Sequence, residues 1–505
     1  MTVMPSLTLS RAPLLLTAPL LLSACMSLAP PHQAPALPVP ATFDAAAADP
    51  APLLPGGSGT SFVLGARLRT LLGMALADNR DMRVAVLAVE RVRAQYGIAQ
   101  AERLPTLNAG ASASRTRTAD DLTPAGRGNT ASQYSASIGL ASWEIDFWGR
   151  VRNLNEAALQ EFLRSQANRD SARIALAAEV MLTWLNLDAD ARRLHLARAT
   201  LATRERQLEL TRRTHELGAA SGLTLAQVQT TVDSARVDAA AFETLVARGR
   251  NALALLIGSP VPDNLLPASV TAPAPPLRSD VAQGEAPRLQ AAPEPATALP
   301  DLPAGAPSQL LLARPDVRAA EHALAASNAQ IGVARAAFFP SITLTASAGT
   351  ASKELSGLFA GGNGIWSFAP QIRLPIFDAG RNQANLRVAE VARETALAQY
   401  ERVIQVAFRE VMDALADRAT LDERLAAQRS LAAAAQRALE LSQARFRLGA
   451  DNYLAVLDAE RALYAAQQGL IGLRLAEQAN RVALFRALGG QWQAQAGAPA
   501  ELSKP

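Results

Sequence analysis

Two stretches of this 505-residue chain, 151–217 and 381–448, contain neither glycine nor proline. At about 1.5 Å of rise per residue, a continuous helix over either would reach roughly 100 Å. A compact domain of a few hundred residues is only tens of Å across, so such a helix must serve a coiled coil, a spacer or the wall of a tube. Composition agrees: apolar residues make up 49% of the chain but aromatics only 5%. Much of the apolar share is alanine, which favours long helices packed through small side chains. Each stretch ends at a Leu-Gly pair, Leu217-Gly218 or Leu448-Gly449, and a second helical pattern follows at 223–257 or 452–488. Glycine there suits a left-handed helix terminator, and Ser221 and Asn452 are placed as N-caps of the return helices.

The two stretches belong to two copies of one unit. A shift of 235 places superposes Asp81 on Asp316, Gly97 on Gly332 and Pro105 on Pro340, and a shift of 231 superposes Gly149-Arg150 on Gly380-Arg381 and Gly258 on Gly489. The repeats therefore span 64–258 and 306–489, joined by a segment rich in Pro and Ala at 259–305 and followed by a tail, 490–505. Each opens with a helical pattern, Arg67 to Arg103 or Ser308 to Phe338, that stops before a proline. Small and β-branched residues then alternate over 106–117 and 134–146, and over 341–350 and 365–377, which reads as paired strands around polar loops at 118–130 and 352–364. The unit is a helical hairpin with a two-stranded β-hairpin at its far end.

Residues 1–24 read as a signal peptide, with Arg11 as a thin positive region and an apolar run from Ala12 to Leu22 too short to span a bilayer. Leu22-Ser23-Ala24-Cys25 resembles the lipobox of bacterial lipoproteins, in which the cysteine is acylated and becomes the new N-terminus. Several acyl chains give durable attachment without a transmembrane helix. Residues 25–63 then form a lipidated, extended tether. Met26 in place of Asp is compatible with sorting to the outer membrane.

Chemistry of other kinds is disfavoured. Cys25 is the single cysteine and the histidines, His32, His195, His215 and His322, are scattered, so neither a disulfide framework nor a cysteine-based metal site is expected. The formal charge is +4 with both signs interspersed, which argues against nucleic acid as a partner. No GxSxG or HExxH motif is present, so an enzyme is not expected. Four strands cannot close a barrel alone, and a lipid-facing sheet must close. Strands of ten to thirteen residues match a tilted crossing of an outer membrane. Oligomerisation is the way out, although closure by itself does not choose between two chains and three.

The run from Leu302 to Gly349, with WEIDFWGR (Trp143 to Arg150), LPIFDAGR (Leu374 to Arg381) and RLGADNYLAVLDAERALYAAQQ (Arg447 to Gln468), is very similar to the characteristic segments of TolC-like outer membrane factors, lipoprotein branch. The resemblance covers nearly the whole mature chain. It implies an α+β membrane protein, a homotrimer whose four strands per chain close a twelve-stranded β-barrel continued by a long periplasmic α-helical barrel. The inter-repeat segment and chain ends would contribute to an equatorial girdle. It implies a passive exit duct for small molecules, partnered by a periplasmic adaptor and an inner-membrane transporter of RND or similar type, with no cofactor beyond the covalent lipid on Cys25. The rival reading, a periplasmic coiled-coil adaptor or scaffold lipoprotein, shares the signal and the long helices but not the duplicated strands.

The same resemblance assigns roles. Leu454 would form an apolar constriction at a periplasmic gate, Asp458 a charged ring, and Arg461 a latch to the first repeat. Their spacing of four and then three puts them on one helix face. Thr224 stands where the family commonly has Asp, so Arg461 is expected to hydrogen-bond Thr224 or another acceptor. The turns bearing Leu217, Gly218 and Ser221, and Leu448, Gly449 and Asn452, are expected to dock the adaptor. Trp143, Trp148, Trp366 and Phe368 flank strands, either as an interfacial aromatic belt or as packing.

Overall fold

A computed structural model describes residues 27–31, 35–43, 65–122, 129–271 and 308–490. The signal peptide, Cys25, most of the inter-repeat segment and nearly all of the tail lie outside the described residues. In chain order the elements are α1 (Ala66–Asp78), α2 (Arg80–Ala101), β1 (Leu107–Arg117), β2 (Thr130–Glu144), α3 (Arg150–Glu216), α4 (Gly222–Ile257), α5 (Ala268–Thr271), α6 (Pro315–Ala336), β3 (Ser341–Ser352), β4 (Gly364–Arg373), α7 (Arg381–Arg447) and α8 (Tyr453–Ala487). Both α3 and α7 run for 67 residues without interruption. The chain divides into two compact bodies, one within 1–36, 88–166 and 319–400, the other within 37–87, 167–318 and 401–505.

The first body carries the strands. The two hairpins expected from sequence join into one antiparallel sheet, in the order β1-β2-β3-β4. Directly opposed residues share a face, so the register sorts the side chains. One face takes Leu107, Ala109 and Ala111 of β1, Ala136, Ile138 and Leu140 of β2, Ile342, Leu344, Ala346 and Ala348 of β3, and Trp366, Phe368 and Ile372 of β4. The other takes Asn108 and Ser112, Ser135 and Ser137, Thr343, Thr345 and Ser347, and Ser367 and Gln371. Serine hydroxyls pair across this polar face, Ser112 with Ser135 at 2.8 Å and Ser347 with Ser367 at 3.2 Å. A bulge between Leu140 and Trp143, with Ser142 at φ 51°, absorbs one residue and keeps Trp143 on the apolar face opposite Leu344. A Cβ on Gly139 would collide with the Ala346 carbonyl oxygen and one on Gly349 with the Ala136 carbonyl oxygen, both glycines lying on the polar face. The strands therefore crowd together on that side, as they do where a sheet curls with its polar face inward.

The strand-to-helix junctions are built alike. Asp146 accepts from the Arg152 amide at 2.8 Å, and Asp378 from those of Gly380 and Asn382 at 3.0 and 2.9 Å. Gly149 and Gly380 supply the left-handed turns before the helices, at φ 73° and 84°. Hydrogen bonds from those amides hold the Asp378 carboxyl below the usual range, since they favour its ionised form. Strand β4 ends at Arg373, earlier than the pattern to 377 suggested, because Pro375 has no amide to give a ladder.

In the second body the helices pack through leucine, valine and alanine. Leu208, Val228, Val232 and Leu457 form one cluster of α3, α4 and α8, and Ala435, Leu439, Val456, Leu463 and Ala466 another of α7 and α8. The single helix expected over 67–103 is two. Asn79 breaks it: its Oδ1 caps Met82 at 2.8 Å while its Nδ2 donates to the Leu256 carbonyl at 2.8 Å. Gly258 terminates α4 beside this break, where a Cβ would lie 2.5 Å from the Asp78 carbonyl oxygen. The counterpart expected over 308–338 opens as a 3-10 turn, Ser308–Ala313, and becomes α-helix only at Pro315, which takes the first helical turn where no amide is needed. The short α5 is held on α3 by Ser269 Oγ donating to Asp188 at 2.6 Å and by His195 Nε2 bonded to the Ser269 carbonyl at 2.6 Å.

Candidate functional site

The two hairpin turns have the geometry that their residues dictate. Gly218 and Gly449 are left-handed at φ 76° and 70°. Ser221 accepts from the Thr224 amide at 3.1 Å and Asn452 from the Ala455 amide at 3.3 Å, so both N-caps form. Beside them Leu217 and Leu448 stand 83% and 84% exposed, an apolar side chain on each turn. The second turn is further closed by Arg445, which donates to Asp451 at 2.6 and 2.9 Å and holds that carboxyl below its ordinary range. This pair was not anticipated from sequence, although the six-residue spacing across a Gly turn is a usable signal.

Leu454, Asp458 and Arg461 all lie exposed on α8, along one face. Arg461 does not reach Thr224. Its Nη1 donates to Asp458 Oδ1 at 3.1 Å, one turn back on the same helix, while Thr224 Oγ1 is engaged with Ser221 Oγ at 2.9 Å. A carboxylate at i−3 is a charged, local acceptor, whereas the Thr224 hydroxyl already completes a cap. The opposite face of α8 carries groups that sequence reading passed over. Arg204 of α3, 6% exposed, lies 5.6 Å from the ring centroid of Tyr464, whose hydroxyl donates to Asp238 of α4 at 3.1 Å.

On the sheet, the four flanking aromatics divide. Trp366 and Phe368 stand 80% and 63% exposed on the apolar face of β4. Trp148 instead packs in the strand-to-helix junction, stacked on Phe339 at 4.6 Å with its indole N–H on the Pro340 carbonyl at 2.8 Å. Trp143 donates to the Arg103 carbonyl at 3.4 Å.

The segment that follows Cys25 is tied to the sheet-bearing body. Ser27 donates to Asn153 at 2.8 Å, Asn328 to the Pro30 carbonyl at 2.6 Å, and Arg335 to the Leu28 carbonyl at 3.2 Å. Gly332 makes the passage possible, since a Cβ there would lie 2.8 Å from the Ala29 nitrogen. Among the described residues no group of His, Cys, Asp and Glu could hold a metal ion, and no helix is long and apolar enough to cross a membrane.

Residues 71–259 and 306–490 match the profile of a family described as outer membrane efflux protein. The antibiotic efflux pump outer membrane protein ArpC of Pseudomonas putida is 42% identical over 478 residues, covering 93% of this chain and 94% of that protein. Outer membrane protein OprJ of Pseudomonas aeruginosa is 43% identical over 474 residues, 94% of each. The solved open state of the Neisseria gonorrhoeae MtrE outer membrane channel superposes with a TM-score of 0.78 at 37% identity, over 92% of this chain and 98% of that one. With two matched segments that together exceed half its length, and a relative 42% identical over 93% of it, the chain belongs to the outer membrane efflux protein family.

Proposed function

We propose that this protein is the outer-membrane exit duct of a tripartite efflux pump, a homotrimer in which each chain gives four strands to a twelve-stranded barrel. The observation that carries the reading is the sheet: one face apolar and exposed, the other lined by hydroxyls and amides, with β1 and β4 each paired on one side only. Such a sheet is suited to lipid on one side and water on the other, and in hydrocarbon its open edges must be paired by other copies. Crowding at Gly139 and Gly349 supports curvature toward the polar face, which then lines the lumen. Trp366 and Phe368 stand toward lipid. The long helices α3 and α7, with their return helices, form a periplasmic α-helical barrel made from two structural repeats, and 259–305 belongs to its girdle.

Residues 1–24 are a signal peptide and Cys25 carries lipid, an assignment supported by the ties of Ser27 to Pro30 on the sheet-bearing body. The turns at Leu217-Gly218 and Leu448-Gly449, each with an exposed leucine, dock a periplasmic adaptor that links the duct to an inner-membrane transporter. Leu454 and Asp458 form the gate, with Arg461 setting the Asp458 carboxylate. The adaptor alternative lacks support, since the family is one of ducts. Conduction needs no catalytic group and no cofactor. ArpC is named for antibiotic efflux, and the cargo here is taken to be small organic molecules of that class.

Purified full-length protein in planar bilayers tests the reading. It should run as a trimer, form discrete channels of low conductance, and carry acyl mass on Cys25. Folded trimer that forms no channel would overturn the duct.

A further inference from the structure

The charged residues within the strands are Arg115 and Arg117 of β1, Glu144 of β2 and Arg373 of β4. The register sorts them by face and by end. Glu144 lies opposite Thr343 and Arg373 opposite Ser341, which places both on the polar face, at the end of the sheet where the helices join. Glu144 is taken up there by Arg150 at 2.6 Å. Arg115 and Arg117 lie opposite Ser132 and Thr130, in line with Ala109, Ala111 and Ala113 on the apolar face, at the end where the loops turn. Both are exposed, and among the described residues neither guanidinium makes an ion pair. The nearby carboxylate of Asp120 accepts from Asn129 Nδ2 at 2.6 Å, and the Thr118 amide donates to the Asn129 carbonyl at 2.7 Å, which carries the pairing of β1 and β2 past Arg117.

Conduction does not call for these two cations. A charge that serves the lumen belongs on the polar face, where the same stretch of β1 carries Ser112, Ser114 and Thr116. On a lipid-facing surface an arginine is costly at the middle of the bilayer and nearly free of cost at its interface, so the pair marks the level of the headgroups. The second repeat has no counterpart, since the shift of 235 sets Thr350 and Ser352 against Arg115 and Arg117. Each chain therefore holds one such pair, on a strand at the edge of its sheet.

We propose that Arg115 and Arg117, with the hydroxyls of Thr130 and Ser132, bind the phosphate of a phosphorylated glycolipid in the outer leaflet of the membrane. The inference rests on the reading of the sheet as the wall of an outer-membrane barrel with its helices on the periplasmic side, which sets the loop end of β1 at the outer surface. Residues two apart on a strand share a face at about 7 Å, and directly opposed residues stand about 5 Å apart, so the four groups form one patch. Two planar guanidinium forks can reach a single phosphate from it, each with a pair of N–H donors matched to phosphate oxygens, and the hydroxyls add two more donors. The long arginine stems let both heads rise to the headgroup level. Beneath them the small side chains of Ala109, Ala111 and Ala113 leave a shallow apolar strip for an acyl chain of the same lipid.

Native mass spectrometry of the full-length protein in neutral detergent tests this, with diphosphoryl lipid A, the same lipid stripped of its phosphates, and inorganic phosphate as probes. The trimer should retain the phosphorylated lipid, one per chain at saturation, and hold the stripped lipid far more weakly. Arg115→Gln and Arg117→Gln should each weaken retention about fivefold and the double variant about thirtyfold, the factors expected of cations at an anionic lipid surface. Arg373→Gln, which removes a strand cation from the polar face, should leave retention unchanged. Equal retention of the two lipids by wild type overturns the site, as does a double variant that binds as tightly as wild type. Displacement of the lipid by inorganic phosphate at equal concentration assigns the arginines to a water-borne anion and overturns the lipid. A wild-type mass of single chains alone overturns the trimeric barrel beneath the site, a result read separately from the lipid it carries.

Discussion

Arg314 donates to the Ala487 carbonyl oxygen at 2.7 Å, joining the start of α6 to the end of α8. Its side chain is 7% exposed and also pairs with Asp316 at 2.6 Å and Glu410 at 2.9 Å. Desolvation works against so buried a charge, yet the two carboxylates outweigh it and raise the guanidinium's affinity for its proton. Arg314→Met leaves Glu410 and a helix-terminal carbonyl unpaired. The second body should lose about 3 kcal/mol, and Arg314→Lys should not restore it, because a single compact ammonium cannot reproduce the planar fork that spreads its N–H groups over the carbonyl and both carboxylates. Denaturant midpoints of the two variants against wild type check both statements.

Gly349 has the tighter of the two close approaches in the sheet, its Cβ position falling against the Ala136 carbonyl oxygen. Gly349→Val must push β2 and β3 apart at the centre of the ladder. The expected result is loss of heat-resistant trimer on semi-native gels, with helix content by circular dichroism retained. An unchanged trimer would sink the argument that the strands crowd on the polar face.

Leu454 and Asp458 are exposed in the chain, so truncating them removes no core contact. Leu454→Ala and Asp458→Ala should leave stability within about 0.5 kcal/mol of wild type while conductance rises several-fold. Arg461→Ala frees Asp458 from its 3.1 Å partner and should increase preference for cations over anions. Reversal potentials in a salt gradient read that preference directly.

The Arg445 and Asp451 pair closes the second hairpin turn, and its hydrogen bond holds the Asp451 carboxyl below the ordinary range. A depressed carboxyl contributes above its unfolded value and is lost as pH falls through the folded one. The turn should therefore be indifferent to pH until below about pH 4, the ordinary aspartate value. Hydrogen exchange across 445–452 should rise only in that range, and in Arg445→Ala it should already be fast at neutral pH.

What could be read in advance follows from where each signal resides. Gly218 and Gly449 and the caps Ser221 and Asn452 are local: backbone angle or side-chain reach is decided within a few residues, and each forms as expected. Asn79 was missed because its apolar surroundings continue the helical period on both sides, and only its bond to Leu256, 177 residues away, makes it a break. The joining of β2 to β3 was equally hidden, since Ile138 and Ala348 are paired by the folding of the whole chain and not by any turn. The acceptor of Arg461 was sought across the tip because the family has a carboxylate there. Asp458 was already within one turn. Arg204 and Tyr464 sit far apart in sequence and carry no motif, so only packing reveals them.

The alternation of the sheet has a genetic consequence. Deleting one codon inside β3 would exchange the positions of Ile342, Leu344 and Ala346 with those of Thr343, Thr345 and Ser347, presenting hydroxyls to hydrocarbon and methyl groups to water. The same deletion between Thr118 and Asn129 leaves every strand in phase. Descendants of this gene can therefore lengthen, shorten and diversify that loop freely, while the strands it joins accept substitution but not a change of length.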